Sequence, residues 1–334
     1  MTPQHNLIIP PFATHQNIAI QSQWDQGQKL EQKSRAHNTL KRYHSAFKLL
    51  QNYCVQHQVK PVPLPPEMAY TFFVAMHQQH YAWSTLTILK STIDYYHKIA
   101  GHPSPLAHPR IDTLLEGIKR ESQTKNQAAD PLTYDMLITI IDAIKHNDLP
   151  SLRDKALLLI GFAGGFRASE LLALTLDDIQ FKEHQGILVT IQKSKTDQHG
   201  KGHLVAIPYH QANPKYCPIQ SLTQWINAIN LQAGCLFRSF FKGGCTLRKS
   251  SLSYHGFYRM FKARCLDAEL NTDKLSPHSL RSGFNTSAAI AGADLIKMRE
   301  ITNQSLNTQQ RYIKKVNLFN NNANEKIYRY FAPS

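Results

Sequence analysis

At 334 residues the chain is long enough for two domains of ordinary size, and its 42% hydrophobic content is too high for a disordered protein. A formal net charge of +15 at pH 7 favours a polyanionic partner, nucleic acid first and an anionic membrane second. Cys54, Cys217, Cys235, Cys245 and Cys265 are odd in number and form no C-x-x-C pair, which argues against a zinc site or a disulfide framework and fits a reducing cytoplasm. Residues 1–20 lack an apolar run behind a basic start, so no signal peptide is expected. The longest apolar stretch, 156–165, is too short to span a bilayer, which removes the membrane as an expected partner.

Residues 1–33 are Gln-rich, contain Pro10-Pro11 and read as a flexible arm with a short helix near 16–24. From Ser34, a candidate N-cap, the pattern turns helical: Leu40, Tyr43, Phe47, Leu50 and Tyr53 recur at three- and four-residue steps. Prolines at 61–66 end that helix. A second carries Met68, Phe72, Phe73 and Met76; a third, over 85–100, carries Leu86, Ile88, Leu89, Ile93 and Tyr96 and stops at Gly101; a fourth spans about 110–121. Residues 34–122 therefore read as an all-α domain of four helices. Lys41, Arg42 and other basic residues between the apolar stripes can together line a DNA backbone, although any one alone reads as an ordinary solvated face.

Residues 123–131 are polar, unpatterned and closed by Pro131, the signature of a linker. A second domain, 132–315, opens with a helix carrying Met136, Leu137, Ile140, Ile141 and Ile144, followed by a buried helix from Leu152 that breaks at Gly164-Gly165. The two glycines allow a sharp turn that presents Arg167, with Glu170 one helical turn on to hold its guanidinium; a simple i, i+3 ion pair at the surface is the rival reading. Period-two alternation over 187–192 and 203–208 predicts a β-hairpin whose polar tip carries Lys193, Lys195 and Lys201, suited to phosphate contact. A helix from Cys217, a loop region over 234–250 and a helix over 253–268 follow. The stretch 277–284 reads Pro-His-Ser-Leu-Arg-Ser-Gly-Phe, with His278 and Arg281 on one helix face, then an Ala/Gly-rich helix over 288–293 and a lone tyrosine, Tyr312, in a polar, basic setting.

These motifs, in this order, resemble the phage-integrase family of tyrosine recombinases. Gly-Phe-Arg-x-Ser-Glu-Leu-Leu-x-Leu at 165–174 is similar to the family's first arginine box, Ser-Lys-Thr at 194–196 to its lysine hairpin, 275–284 to its second box, and 302–313 to its final box. The resemblance implies a mainly α fold with a small antiparallel β-sheet in the catalytic domain. An α-helical core-binding (SAM-like) domain would close with it on double-stranded DNA as a C-shaped clamp. It implies a homo-tetramer on DNA, with a dimer per site and the 316–334 tail docking on a neighbouring protomer. Cytoplasmic, nucleoid-associated action follows from it, and it leaves room for an accessory DNA-bending protein.

The chemistry implied is strand cleavage and rejoining without metal, ATP or cofactor. Tyr312 would attack phosphorus to leave a 3′-phosphotyrosine and a free 5′-hydroxyl. Arg167 and Arg281 would hold the non-bridging oxygens and neutralise the pentacoordinate transition state. Lys195 would protonate the leaving oxygen, and His278 would act as general base or as a donor to phosphate. One position departs from the family: nine residues before the tyrosine, where His or Trp is usual, stands Asn303, which can donate a hydrogen bond but cannot carry charge or relay a proton. Type IB topoisomerase-like relaxation and a catalytically weakened DNA-binding relative are the alternatives. Tyr328 and Tyr330 are rival nucleophiles by residue type, but packing in the core or at an interface suits them better.

Overall fold

The computed structural model describes residues 37–122, 129–192, 202–243, 246–316 and 323–331, together with 22–23, 25–27, 30 and 35. Ser34, most of the N-terminal arm, residues 123–128 and Lys193, Lys195 and Lys201 lie outside the described residues. The chain divides into two compact units, Met1–Asn126 and Gln127–Ser334.

The first unit is built from α1 (His37–Gln56), α2 (Pro66–Gln78), α3 (Trp83–Ile99) and α4 (Pro109–Glu121). Each helix buries one stripe: Ala46, Phe47, Leu50 and Cys54 from α1; Ala69, Phe72, Phe73 and Met76 from α2; Leu86, Leu89 and Ile93 from α3; Ile111, Leu115 and Ile118 from α4. Prolines open α2 and α4 at their first turns, where a missing N–H costs nothing. Phe47 stacks on Tyr96 with ring centroids 3.8 Å apart, which joins α1 to α3.

A polar group is buried inside this core. His97 on α3 has no exposed surface. Its Nε2 accepts the Leu64 N–H at 2.9 Å, so Nδ1 carries the proton and donates to the Ile93 carbonyl at 2.8 Å. Only the neutral ring can make both bonds. Burial is the main cause that lowers its pKa below the ordinary 6.5, with His102 adding to the fall and the Ile93 bond and Asp94 opposing it.

The second unit is organised on α6 (Leu149–Ala163), whose residues Ala156, Leu157, Leu158, Leu159 and Ile160 are all buried. Asp148 caps it by accepting the Ser151 N–H at 2.9 Å. Around it stand α5 (Tyr134–Ala143), α7 (Ala168–Ala173), α8 (Pro218–Ala228), α9 (Tyr254–Asp267), α10 (His278–Ile290), α11 (Leu295–Thr302) and α12 (Leu306–Val316); α13 (Ala323–Tyr330) follows. Strands β1 (Ile179–Lys182), β2 (Gly186–Ile191) and β3 (His203–Pro208) form an antiparallel sheet in the order β1-β2-β3, with Ile191 opposite His203 at the outer end of the hairpin. Ile187, Val189, Ile191, Val205 and Ile207 face the core, while Leu204 is 57% exposed.

Three expectations are revised. The 234–250 region holds a second antiparallel pair, β4 (Arg238–Phe240) with β5 (Leu247–Ser251). Its strands are short and none of their residues is buried, so no apolar alternation marked them. The Ala/Gly-rich stretch at 288–293 is the last turn of α10 and the bend after it, where Gly292 has φ +72. Tyr328 and Tyr330 are 71% and 83% exposed, so they are not core residues of this chain.

Neutral His97 makes the first unit sensitive to acid. Its folded pKa is depressed, so the unfolded chain takes up a proton first as pH falls, and stability present above about 6.5 is lost below it. The urea midpoint for residues 37–122, followed by hydrogen exchange of the α2 and α3 core amides, should fall between pH 7.5 and 5.5, and replacing His97 by Gln should flatten that dependence. A midpoint equally pH-dependent in His97→Gln would contradict it.

Candidate active site

The site forms where three chain segments converge on one guanidinium. Arg281 lies in the first turns of α10 and is 2% exposed. Its Nη1 donates to the Gly165 carbonyl at 2.6 Å, in the turn after α6, and its Nη2 donates to the Thr302 carbonyl at the end of α11. The Glu170 carboxylate of α7 is 4.0 Å from Nη1. Burial, and then the Arg167 charge, push the Arg281 pKa down to about 10, with Glu170 and Tyr312 opposing, so the group remains cationic at neutral pH.

Local sequence explains why the segments meet. Gly165 has φ +52, and a Cβ there would fall 2.8 Å from Thr302 Cγ2 and 3.1 Å from Phe284. Gly283 sits on the other side: its Cβ would lie 1.7 Å from the Leu132 carbonyl. Backbone can therefore pass directly against α10, and Leu132 N–H donates to Ser279 O at 3.0 Å.

Arg167 is the N-cap residue of α7. Glu170 accepts its backbone N–H at 2.9 Å and its guanidinium at 2.5 Å, with side-chain exposures of 23% for the arginine and 6% for the carboxylate. The pair is thus half-buried beside Arg281, and the surface ion-pair reading does not describe it. Two guanidiniums share one carboxylate, which leaves one net positive charge for an anion.

His278 opens α10 and keeps an exposed face, yet its pKa is lowered below 6.5 by the protein around it and then by the charges of Arg281 and Arg167. Tyr312 on α12 is half-buried; burial raises its pKa above the ordinary 10, and Arg281 pulls it back. Asn303 caps α11 in the left-handed region, φ 49 and ψ 41, donating its N–H to Arg299 O at 2.8 Å. Asn is among the few residues that adopt this conformation readily. It stands between Thr302, which holds Arg281, and Gln304, which accepts from Asn285 at 2.9 Å.

The structure thus brings Arg167, Glu170, His278, Arg281, Asn303 and Tyr312 to one region of the second unit. The hairpin that leads to Lys193, Lys195 and Lys201 runs beside it, since His203 Nε2 donates to Ile301 O at 3.2 Å. Lys41 and Arg42 lie on the exposed side of α1 in the first unit. The sequence reading omitted the amides behind Arg281: Asn285, Gln304 and Gln309. Helical spacing was the available signal, with Asn285 four residues after Arg281 and Gln309 three before Tyr312.

Residues 131–317 match the phage integrase family. Over 301 residues the chain is 31% identical to an integrase/recombinase xerD homolog of Selenomonas ruminantium, covering 89% of this chain and 87% of that one. It is 29% identical over 187 residues to the tyrosine recombinase XerD of Haemophilus ducreyi, covering 56% of this chain and 58% of the relative. Among solved structures, the Tn1549 transposon integrase in complex with circular intermediate DNA shares the fold, with a TM-score of 0.57, 17% identity and coverage of 87% and 94%. The chain belongs to the phage integrase family, the tyrosine recombinases. Its mainly α fold with small antiparallel sheets is the fold of that family, and nothing in these likenesses supports a type IB topoisomerase.

Proposed function

We propose that the chain is a site-specific DNA recombinase that cleaves and rejoins double-stranded DNA through a 3′-phosphotyrosine at Tyr312. The observation that carries this reading is the buried Arg281 beside the Arg167–Glu170 pair, with the Tyr312 phenol within reach of the Arg281 charge. A phosphodiester supplies the single negative charge that this cluster lacks. The two guanidiniums hold its non-bridging oxygens, and their fixed charge stabilises the further negative charge that develops in the transition state.

Tyr312 must lose its proton as it attacks. Its phenol is harder to ionise than an ordinary tyrosine because it is partly buried, so a nearby acceptor is needed. His278 suits that task, since its lowered pKa leaves it neutral at pH 7; donation to a phosphate oxygen is its other role open here. As the P–O5′ bond breaks, Lys195 protonates the leaving oxygen, and attack by a 5′-hydroxyl of another strand reverses the step. The phosphoryl bond energy is conserved, so the step consumes no ATP, and the arginines supply the positive charge that a metal would otherwise bring. Lys41, Arg42, Lys193 and Lys201 neutralise backbone phosphates. Four protomers assemble on two sites, with the exposed Ile327, Tyr328 and Tyr330 of α13 and Phe331 just after it seating on a neighbour.

The test is covalent trapping on a nicked duplex carrying a sequence that the protein itself selects from random DNA. The wild type should form a protein–DNA adduct, and Tyr312→Phe should bind the same duplex and form none. Binding without any Tyr312-dependent adduct would overturn the enzymatic reading in favour of a non-catalytic DNA-binding relative.

Asn303 bears on rate. It can donate one hydrogen bond to a phosphate oxygen but adds no charge. Histidine also tolerates the left-handed conformation found here, so Asn303→His should raise the cleavage rate by about tenfold or more. An unchanged rate would show that the position contributes nothing.

A further inference from the structure

Behind Arg281 lies a buried set of amides that the chemistry above does not use. Gln309, on α12, has no exposed surface. Its Nε2 donates to Thr302 Oγ1 at 2.6 Å and lies 3.3 Å from Gln304 Oε1 and 3.4 Å from Met298 O. Asn285, on α10, is equally buried, and its Nδ2 donates to the Arg281 carbonyl and to the same Gln304 oxygen, both at 2.9 Å. Gln304 Oε1 therefore receives one amide from the helix that carries Arg281 and one from the helix that carries Tyr312.

The orientation of Gln309 is dictated by its partners. The Thr302 hydroxyl already donates its hydrogen to Met298 O at 2.9 Å, so it can only accept from Gln309. Turning the amide over would set its oxygen against three acceptors. The bonded arrangement instead leaves Gln309 Oε1 and Asn285 Oδ1 buried without partners among the described residues. Buried polar atoms are nearly always satisfied, and an apolar residue at 309 would fill the space without leaving an orphan. The amide is therefore specified by something other than packing.

Its place in the fold supplies that reason. Thr302 grips Arg281 through its carbonyl and Gln309 through its hydroxyl. Gln309 precedes Tyr312 by one helical turn, so the bond fixes the register of α12 against the residue that holds the phosphate-binding guanidinium. We propose that Gln309, through Thr302, is a positioning residue that sets the Tyr312 phenol in line with the phosphorus held by Arg281. This rests on the assignment of Tyr312 as nucleophile. It predicts an effect on the chemical step rather than on DNA affinity.

The experiment uses the full chain and the nicked duplex described above, with adduct formation followed at saturating protein and half-saturation of the DNA measured separately. Gln309→Leu, close in volume, should slow adduct formation about tenfold or more while half-saturation stays within about twofold. Thr302→Val keeps the carbonyl on Arg281 and removes the hydroxyl; it should slow the step to a similar degree, and it carries the test should Gln309→Leu fail to fold. The two changes remove one interaction, so the double variant should be no slower than the slower single one. Wild-type rates in the single variants, equal losses in rate and affinity, or losses that multiply in the double variant would each overturn the inference. A wild type that forms no adduct would overturn the recombinase reading and this inference with it, whereas an adduct that forms equally fast in Gln309→Leu overturns this inference alone.

Discussion

A guanidinium removed from water is expensive, by several kcal/mol even after relaxation, and Arg281 is 2% exposed. The fold compensates it with two backbone carbonyls and a carboxylate drawn from three separate segments: Gly165, Thr302 and Glu170. Every one of those partners must arrive for the charge to be tolerated. The same contacts that solvate Arg281 thereby fix the turn after α6, the start of α7 and the end of α11 around it. The binding site and this part of the catalytic core are one construction.

The geometry that permits this is set by small residues. Gly165 lets the α6–α7 turn lie against Thr302, and Gly283 lets α10 press on the backbone of Leu132. A Cβ at either place would push apart the segments that converge on Arg281. Glu170 adds the electrostatic half: it lies between Arg167 and Arg281, relieving their mutual repulsion without cancelling both charges. What remains is a fixed, partly buried, singly positive cradle. Such a cradle needs no reorganisation when charge develops on a phosphate, which is the general basis of electrostatic catalysis.

Much of this was legible in the chain. The stripes Phe72, Phe73, Met76 and Leu86, Leu89, Ile93 announced α2 and α3, because a helix that buries one face must repeat at about 3.6 residues. The hairpin over 187–208 announced itself by alternation, and the order of Arg167, His278, Arg281 and Tyr312 carried the family. What escaped has physical causes. Strands β4 and β5 bury no residue, so nothing in their pattern distinguishes them from a loop. Helix-face reasoning paired His278 with Arg281, yet the histidine keeps an exposed face while the arginine is buried; the partners that decide this, Gly165 and Thr302, are 116 and 21 residues away. Gln309 looked like one more polar residue in a polar helix, because burial of an amide by tertiary contacts leaves no local trace.

The claim on which the rest depends is that Arg281 ties distant segments as well as meeting phosphate. Hydrogen exchange on Arg281→Lys tests it most directly, because an ammonium keeps the charge but lacks the planar fork needed to serve both carbonyls. Amides over 164–171 and 298–312 should exchange faster together, while those of residues 37–122 remain as in the wild type. Faster exchange confined to α10, with both of those segments unchanged, would contradict the account.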